Sequence, residues 1–327
     1  MSQQQDNKVD LVLEGGGVKG IGLLGAVLEL ADAGYSFPRV AGTSAGAIVA
    51  ALVAAYQRSE RDLHELQEVM DTVDYARFAG GPPLERLTGP LGQGVEALLH
   101  GGAHSSDYLV KWLGDELDKV NVTTFADLAI SCEDDPCSSL ADYQRYSLVV
   151  HASDVSRRVL VRLPWDYPEY GLEPDRQEVV QAVRASMSIP FYFRPVQIST
   201  DRGTATWVDG GLLSDFPITV FDRTDGREPR WPTWGVKLSG RPESKPDRPV
   251  KTVLGMAIGC LETVRGDWNR YRLQDEGVGR RTIYVDTTGI SATDFGLSPD
   301  TRQRLFANGQ AAARLFLARH RSRGASS

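Results

Sequence analysis

The first sixty residues alternate short apolar runs with helical patterns, and glycines separate them. Residues 9–13 predict a buried strand, and the apolar positions of 21–33 recur at helical spacing, with Gly34 as a C-cap. Residues 37–41 predict a second strand, and 45–56 predict a helix that is apolar on nearly all sides. Strand, helix, strand and helix in this order imply a βαβ unit and a parallel sheet.

The rest of the chain predicts an α/β architecture of three α/β/α layers around a largely parallel sheet. Further strands are expected at 146–151, 158–163, 204–208, 233–238 and 282–285, and a helix at 177–185. We expect a single domain over 1–327 with a C-terminal helix at about 298–321. A variable insertion is expected at about 60–140, where the Gly- and Pro-rich residues 79–104 form either a lid or an inert surface excursion.

The composition is that of a folded chain. Of the 327 residues, 41% are hydrophobic and 24% charged. The net charge of −7 argues against broad electrostatic capture of nucleic acid, so no nucleic-acid partner is expected. The three cysteines are too few for a disulfide framework and lack zinc spacing, which favours a reducing compartment without a structural zinc site.

We also expect neither a signal peptide nor a transmembrane helix. The first residues contain no apolar segment, and the uncharged run between Arg39 and Arg58 includes glycines typical of a tight turn before a buried helix. These observations predict a cytoplasmic protein, for which action at the membrane surface is one option.

The C-terminal helix has a basic end, at 319–323. Its apolar residues are Leu305, Phe306, Leu315 and Phe316. This pattern predicts either peripheral contact with anionic lipid or, as the favoured alternative, ordinary packing on the sheet.

Ser44 lies between a predicted strand and a predicted helix, flanked by Gly42 and Gly46. A sharp strand-to-helix turn exposes a serine hydroxyl, and glycines two residues away on either side relieve crowding. The following helix supplies the Ala45 amide and a positive dipole end near a developing oxyanion. The spacing predicts a nucleophilic serine.

A second glycine-rich turn follows the first strand. It comprises Gly15, Gly16, Gly17, Val18, Lys19 and Gly20. A dinucleotide-binding loop would require an acidic residue at the end of the second strand, and a P-loop would require Ser or Thr after Lys19; neither is present. The loop therefore favours an oxyanion hole beside Ser44, which is the hypothesis that uses both glycine motifs.

The general base is either a histidine or Asp209. The histidines are His64, His100, His104, His151 and His320, and only His151, at the end of a predicted strand, has suitable spacing. Asp209 follows a strand and precedes Gly210 and Gly211. A carboxylate held directly against a serine hydroxyl can act as a general base.

At these positions the sequence resembles the patatin-like phospholipases and acyl hydrolases, whose fold is related to the α/β-hydrolases. Four blocks occur in the family's order: Gly15–Gly20, Gly42–Gly46, Ala185–Pro190 followed by Phe193–Val196, and Asp209–Gly211. Together they are specific, and they span roughly the first two thirds of the chain.

The resemblance implies a Ser–Asp dyad without a catalytic histidine, in which Ser44 is the nucleophile and Asp209 the base. It implies cleavage of fatty acyl esters of glycerolipids or phospholipids through an acyl-Ser44 intermediate, with the Gly15–Gly17 amides as oxyanion hole and with no metal or cofactor. Asp215 stands where family members often carry Asn, and we expect it to change loop hydrogen bonding more than chemistry.

Three alternatives remain at this point, and one of them is the nucleotide-binding protein weighed for the glycine loop. An acyltransferase could use the same site with an alcohol in place of water. The chain could instead be a lipid-binding or regulatory protein with an idle site.

Overall fold

A computed structural model describes most of the chain and gives the bounds of its elements. The described residues are 7–74, 77, 102–104, 106–131, 141–223, 225–226, 229, 231–238, 276–292, 294 and 296–324. The helices are α1 (Gly20–Asp32), α2 (Ala45–Arg58), α3 (Glu65–Asp71), α4 (Asp107–Asp118), α5 (Val179–Ser186), α6 (Glu276–Arg280) and α7 (Pro299–Gly324). The strands are β1 (Asp10–Leu13), β2 (Val40–Thr43), β3 (Gly102–His104), β4 (Leu148–Asp154), β5 (Val159–Leu163), β6 (Phe191–Phe193), β7 (Val196–Thr200), β8 (Gly203–Asp209), β9 (Thr233–Lys237) and β10 (Thr282–Tyr284).

The central sheet has the strand order β10-β9-β1-β2-β4-β8-β7, with β5 also paired to β4. The pairings from β10 through β4 are parallel, whereas β8, β7 and β5 pair antiparallel. Short turns connect β4 to β5 and β7 to β8, and such turns can join only antiparallel neighbours. The sheet is mostly parallel with flanking helices, which confirms the predicted fold class.

The core is built on the parallel strands and the helices that connect them. Strands β1, β2 and β4 are buried along their whole length, as expected for parallel strands covered on both faces. Helix α2 is buried from Ala45 to Tyr56, which confirms the prediction for this segment. Strand β2 begins only at Val40, after Pro38, and continues to Thr43, so that Ser44 follows the strand directly.

The backbones of helices α7 and α1 lie in close contact at Gly25. A β-carbon on Gly25 of α1 would lie 2.2 Å from the carbonyl oxygen of Phe306. Leu305, Phe306 and Phe316 are buried, and Leu315 is 64% exposed. Most of the apolar face considered for membrane contact is therefore occupied, as the packing alternative predicts.

The middle of the chain contains elements that the sequence analysis missed. Helix α4 has a detectable signal, because Leu109, Leu113 and Leu117 recur every four residues and are all buried. Strand β3 pairs with β6 in a separate two-stranded sheet. The predicted lid at 79–104 lies outside the described residues except for β3.

The single-domain organisation remains a prediction. No helix in the described ranges is long and apolar enough to cross a membrane.

Candidate active site

Ser44 occupies a strained turn between β2 and α2. Its backbone has φ 53° and ψ −124°, a region that residues with a side chain rarely adopt. A β-carbon on Gly42 would lie 2.2 Å from the carbonyl oxygen of Gly46. One on Gly46 would lie 2.4 Å from that of Leu13, the last residue of β1. The two glycines therefore let the turn close tightly over the end of β1.

The strand register brings Ser44 and Asp209 together across β4. Thr43 pairs with His151 on one side of β4, and Asp209 pairs with Ala152 on the other. Strands β2 and β8 are thus two strand spacings apart, about 10 Å, which a serine and an aspartate side chain can bridge. Ser44 Oγ donates a hydrogen bond of 2.7 Å to Asp209 Oδ2. Both residues are 3% exposed.

The Asp209 carboxylate is also fixed from its other side. The Gly211 amide donates to Asp209 Oδ1 at 2.7 Å, and the Asp209 amide donates to the carbonyl of Ser188 at 2.8 Å. Gly210 is required by close approach, since a β-carbon there would lie 2.3 Å from the carbonyl oxygen of His151. These contacts leave Oδ2 directed at Ser44.

Two residues near Ser44 had no role in the sequence analysis. Ser186, at the end of α5, accepts a hydrogen bond of 2.8 Å from the Ser44 amide through its Oγ. Met187 Sδ lies 3.6 Å from Ser44 Oγ. Both belong to the Ala185–Pro190 block that supported the family resemblance, so the block was detectable although its contacts were not.

Most amides of the glycine loop already have acceptors. The Gly15 amide donates to the carbonyl of Asp215 at 3.0 Å, and the Val18 amide to that of Ala292 at 3.1 Å. Within the loop, the amides of Lys19 and Gly20 donate to the carbonyls of Gly16 and Gly17, respectively. These four amides are therefore not available to an oxyanion in this conformation.

Three amides of the predicted oxyanion hole remain available. Gly16, Gly17 and Ala45 donate no backbone hydrogen bond within the described part of the chain. Gly17 has a φ of +57°, which glycine adopts without strain. In this conformation, these three amides are the ones that the described residues leave open to an oxyanion.

Asp215 adds a second carboxylate beside the nucleophile. A β-carbon on Gly15 would lie 2.2 Å from Asp215 Oδ1 and 3.2 Å from Ser44 Cβ. Asp215 Oδ1 and Ser44 Cβ therefore both lie next to Gly15 and are close neighbours. The Asp215 backbone carbonyl accepts from the Gly15 amide, and its side-chain carboxyl group lies close to Ser44.

His151 is buried within the sheet rather than held against Ser44. Its Nδ1 lies 3.4 Å from the carbonyl oxygen of Gly42, and its Nε2 has no hydrogen-bond partner among the described residues. Burial lowers the pKa of His151 to about 4, so the ring is neutral at pH 7.

The other histidines lie elsewhere or outside the described side chains. His64 is exposed and contacts Asp32 and Asp62. His320, on α7, packs edge-on against Trp234. His100 lies outside the described residues, and His104 is described only as part of strand β3.

Among the described residues, no group of three His, Cys, Asp or Glu side chains is arranged to hold a metal ion. All three cysteines lie outside those residues.

A serine on a sharp strand-to-helix turn of a mostly parallel α/β sheet is typical of the α/β hydrolases. Residues 11–222 match the family model described as patatin-like phospholipase, and this match covers more than half of the chain. The chain belongs to the patatin-like phospholipase family. The dinucleotide-binding hypothesis therefore gives way to a lipid hydrolase class.

This chain spans nearly the whole length of one relative in sequence and about a quarter of another. The chain is 35% identical over 311 residues to the uncharacterized protein YqhO of Bacillus subtilis. This alignment covers 94% of this chain and 98% of YqhO. It is 30% identical over 220 residues to an uncharacterized NTE family protein of Mycobacterium tuberculosis, covering 66% of this chain and 28% of that protein.

Solved structures show the same fold at low identity. VipD from Legionella pneumophila has a TM-score of 0.51 and 18% identity, over 96% of this chain and 67% of VipD. ExoU of Pseudomonas aeruginosa, solved with SpcU, also has a TM-score of 0.51 and 18% identity, over 96% of this chain and 52% of that one.

Proposed function

We propose that this protein is a serine acyl hydrolase in which Ser44 and Asp209 form a catalytic dyad. The observation that carries the proposal is the 2.7 Å hydrogen bond between Ser44 Oγ and Asp209 Oδ2, buried beneath the strained turn. A general base must lie within hydrogen-bond reach of the proton that it removes, and Asp209 meets this condition.

In the acylation step, Asp209 Oδ2 takes the hydroxyl proton while Ser44 Oγ attacks the ester carbonyl carbon. The negative charge that develops on the carbonyl oxygen accepts hydrogen bonds from the available amides of Gly16, Gly17 and Ala45. Such donors stabilise an oxyanion strongly because they are already oriented before the reaction. When the tetrahedral intermediate collapses, the alcohol leaves with the proton from Asp209, and the acyl group remains on Ser44.

Deacylation repeats the same proton movements with water. Asp209 takes a proton from the water that attacks the acyl carbonyl, and the same amides hold the oxyanion. Collapse breaks the bond to Ser44 Oγ, the proton returns to that oxygen, and a fatty acid is released. In this mechanism the proton moves only between Asp209, Ser44 and the substrate or water, and the buried His151 contacts the carbonyl of Gly42 instead.

We propose fatty acyl esters of glycerolipids or phospholipids as the substrates. Family membership supports a lipid hydrolase, and the uncharged amide donors suit the carbonyl of a neutral ester. The decisive experiment incubates the protein with a mixed lipid extract and identifies the products by mass spectrometry, with Ser44→Ala in parallel. Free fatty acids that appear with the wild type and not with the variant support the proposal.

The same experiment separates the two alternatives. New acyl esters formed when an alcohol acceptor is added, without free fatty acid, would identify an acyltransferase. Absence of any product, together with no labelling of Ser44 by a fluorophosphonate, would identify an idle site and contradict the proposal.

A further inference from the structure

The glycine loop rests on residues far along the chain, beyond the segment that the family model matches. The Val18 amide donates to the carbonyl of Ala292 at 3.1 Å. A β-carbon on Gly17 would lie only 2.0 Å from the same oxygen. The backbone of the loop therefore lies directly against residue 292, with no side chain between them.

Leu238, which follows β9, contacts the other half of the loop. Its amide donates to Glu14 Oε2 at 2.5 Å, and Glu14 also forms a buried ion pair with Lys237. A β-carbon on Gly16 would lie 2.4 Å from Leu238 Cδ1, so this side chain packs beneath the loop. Leu238 thus fixes the residue that precedes the glycines and supports the middle of the loop.

Thr287 connects Leu238 to the far end of the loop. Its hydroxyl donates to the carbonyl of Leu238 and accepts from Lys19 Nζ at 3.4 Å. Thr287 is buried, and its bond to Leu238 is shielded from water, where a hydrogen bond is electrostatically stronger than an exposed one. One hydroxyl therefore joins the lysine at the end of the loop to the residue that holds its beginning.

We propose that Thr287 is a positioning residue that fixes the Gly16 and Gly17 amides in the direction of the Ser44 substrate carbonyl. The proposal rests on the proposed function and extends it to a residue outside the matched segment. Oxyanion donors are effective only when they cannot relax, and a misplacement of about 1 Å can cost up to about a hundredfold in rate. Thr287 acts through Lys19 and Leu238 and does not touch the substrate.

The test compares Thr287→Val, which keeps the shape and removes both hydrogen bonds, with Thr287→Ser, which keeps the hydroxyl. On a neutral p-nitrophenyl ester, we expect kcat of Thr287→Val to fall about tenfold, a fraction of the 100- to 1,000-fold lost with a whole oxyanion donor, while KM stays within about twofold. Thr287→Ser should restore most of kcat. The neighbouring Thr288→Val is the matched control, because Thr288 is exposed and its hydroxyl bonds Asp286.

A double-mutant cycle with Lys19→Met tests the connection itself. If the two residues act as one unit, the double variant should lose little more kcat than either single variant. Additive losses would overturn the proposal, as would a folded Thr287→Val variant with kcat within twofold of the wild type. If Thr287→Val does not fold, the Lys19→Met variant alone decides. An unchanged kcat in that variant would overturn the proposal.

Failure of the proposed function gives a different result. A wild-type protein that neither hydrolyses the ester nor reacts with a fluorophosphonate overturns that function and this inference with it. Normal wild-type hydrolysis with unaffected variants overturns only the role of Thr287.

Discussion

Ser44 and Asp209, 165 positions apart in the chain, share a buried hydrogen bond of 2.7 Å that crosses strand β4. The bond exists because β2 pairs with β4 in parallel on one side and β8 pairs with β4 antiparallel on the other. The register of both pairings places the two side chains at the same level of the sheet. The catalytic proposal and its predictions depend on this relationship.

Replacement of Ser44 should separate activity from stability. We expect Ser44→Ala to reduce ester hydrolysis by at least about a thousandfold, as the loss of a nucleophile does. Because φ is +53° at this position, Ser44→Gly should be equally inactive yet melt at a higher temperature than Ser44→Ala, by relief of about 1 kcal/mol of backbone strain. Activity assays and thermal melts of both variants measure this. Ser147→Ala, at the residue before β4, serves as the active control. More than a tenth of normal activity in Ser44→Ala would exclude Ser44 as the nucleophile.

Asp209→Asn should lower kcat by about 100- to 10,000-fold with little change in KM. Asparagine preserves the shape and can still accept from Gly211 N but cannot take the serine proton. The matched control is Asp201→Asn in the exposed turn between β7 and β8, which should leave kcat unchanged. A near-normal rate in the Asp209 variant would return the choice of base to the histidines.

Gly17→Ala should impair catalysis more than folding. The added methyl would meet the carbonyl of Ala292 at 2.0 Å in a backbone conformation with positive φ, so the loop must move and carry the amides of Gly16 and Gly17 with it. We expect kcat to fall by about a hundredfold. The control is Gly114→Ala in helix α4, where the methyl has open space and should stabilise the helix by about 1 kcal/mol. Steady-state kinetics and denaturant unfolding of both variants test the contrast.

His151 should matter for acid stability and not for proton transfer. Its pKa of about 4 in the folded protein lies below the unfolded value of about 6.5, so the unfolded chain binds the proton more readily. The free energy of unfolding should therefore fall as the pH drops from about 6.5 to about 4, with His151 contributing about 3 kcal/mol to the loss. In His151→Gln this part of the pH dependence should disappear. Urea unfolding at several pH values measures it, with exposed His320→Gln as the control.

Replacement of the histidines one at a time also tests whether any of them takes part in catalysis. Single replacements of His64, His100, His104, His151 and His320 should each leave turnover within about tenfold of the wild type, below the usual effect of a general base. A hundredfold loss of turnover in any folded variant would contradict the dyad and favour a Ser–His–Asp triad.

Chelators should leave hydrolysis intact. In the proposed mechanism, the amides of Gly16, Gly17 and Ala45 supply the electrostatic stabilisation that a metal ion provides in other hydrolases. Activity is measured before and after EDTA treatment. A loss that added calcium or zinc reverses would contradict the amide oxyanion hole.

The sequence alone determined the elements around the site, because their signals are local. Apolar runs predicted β1, β2 and α2, and the spacing of Gly42, Ser44 and Gly46 predicted a serine turn at the strand–helix junction. Gly210 and Gly211 marked Asp209 in the same way. Each of these patterns depends on backbone conformation within a few residues, which the side chains nearby dictate.

Tertiary structure alone decided which of these groups meet. The antiparallel placement of β8 beside β4 selected Asp209 over His151 as the partner of Ser44, although both follow or end a predicted strand. Acceptors from Asp215 and Ala292 occupied two of the loop amides and left Gly16 and Gly17 available. Contacts such as Thr287 with Lys19 join residues 268 positions apart, and no local pattern encodes a pairing that chain packing creates.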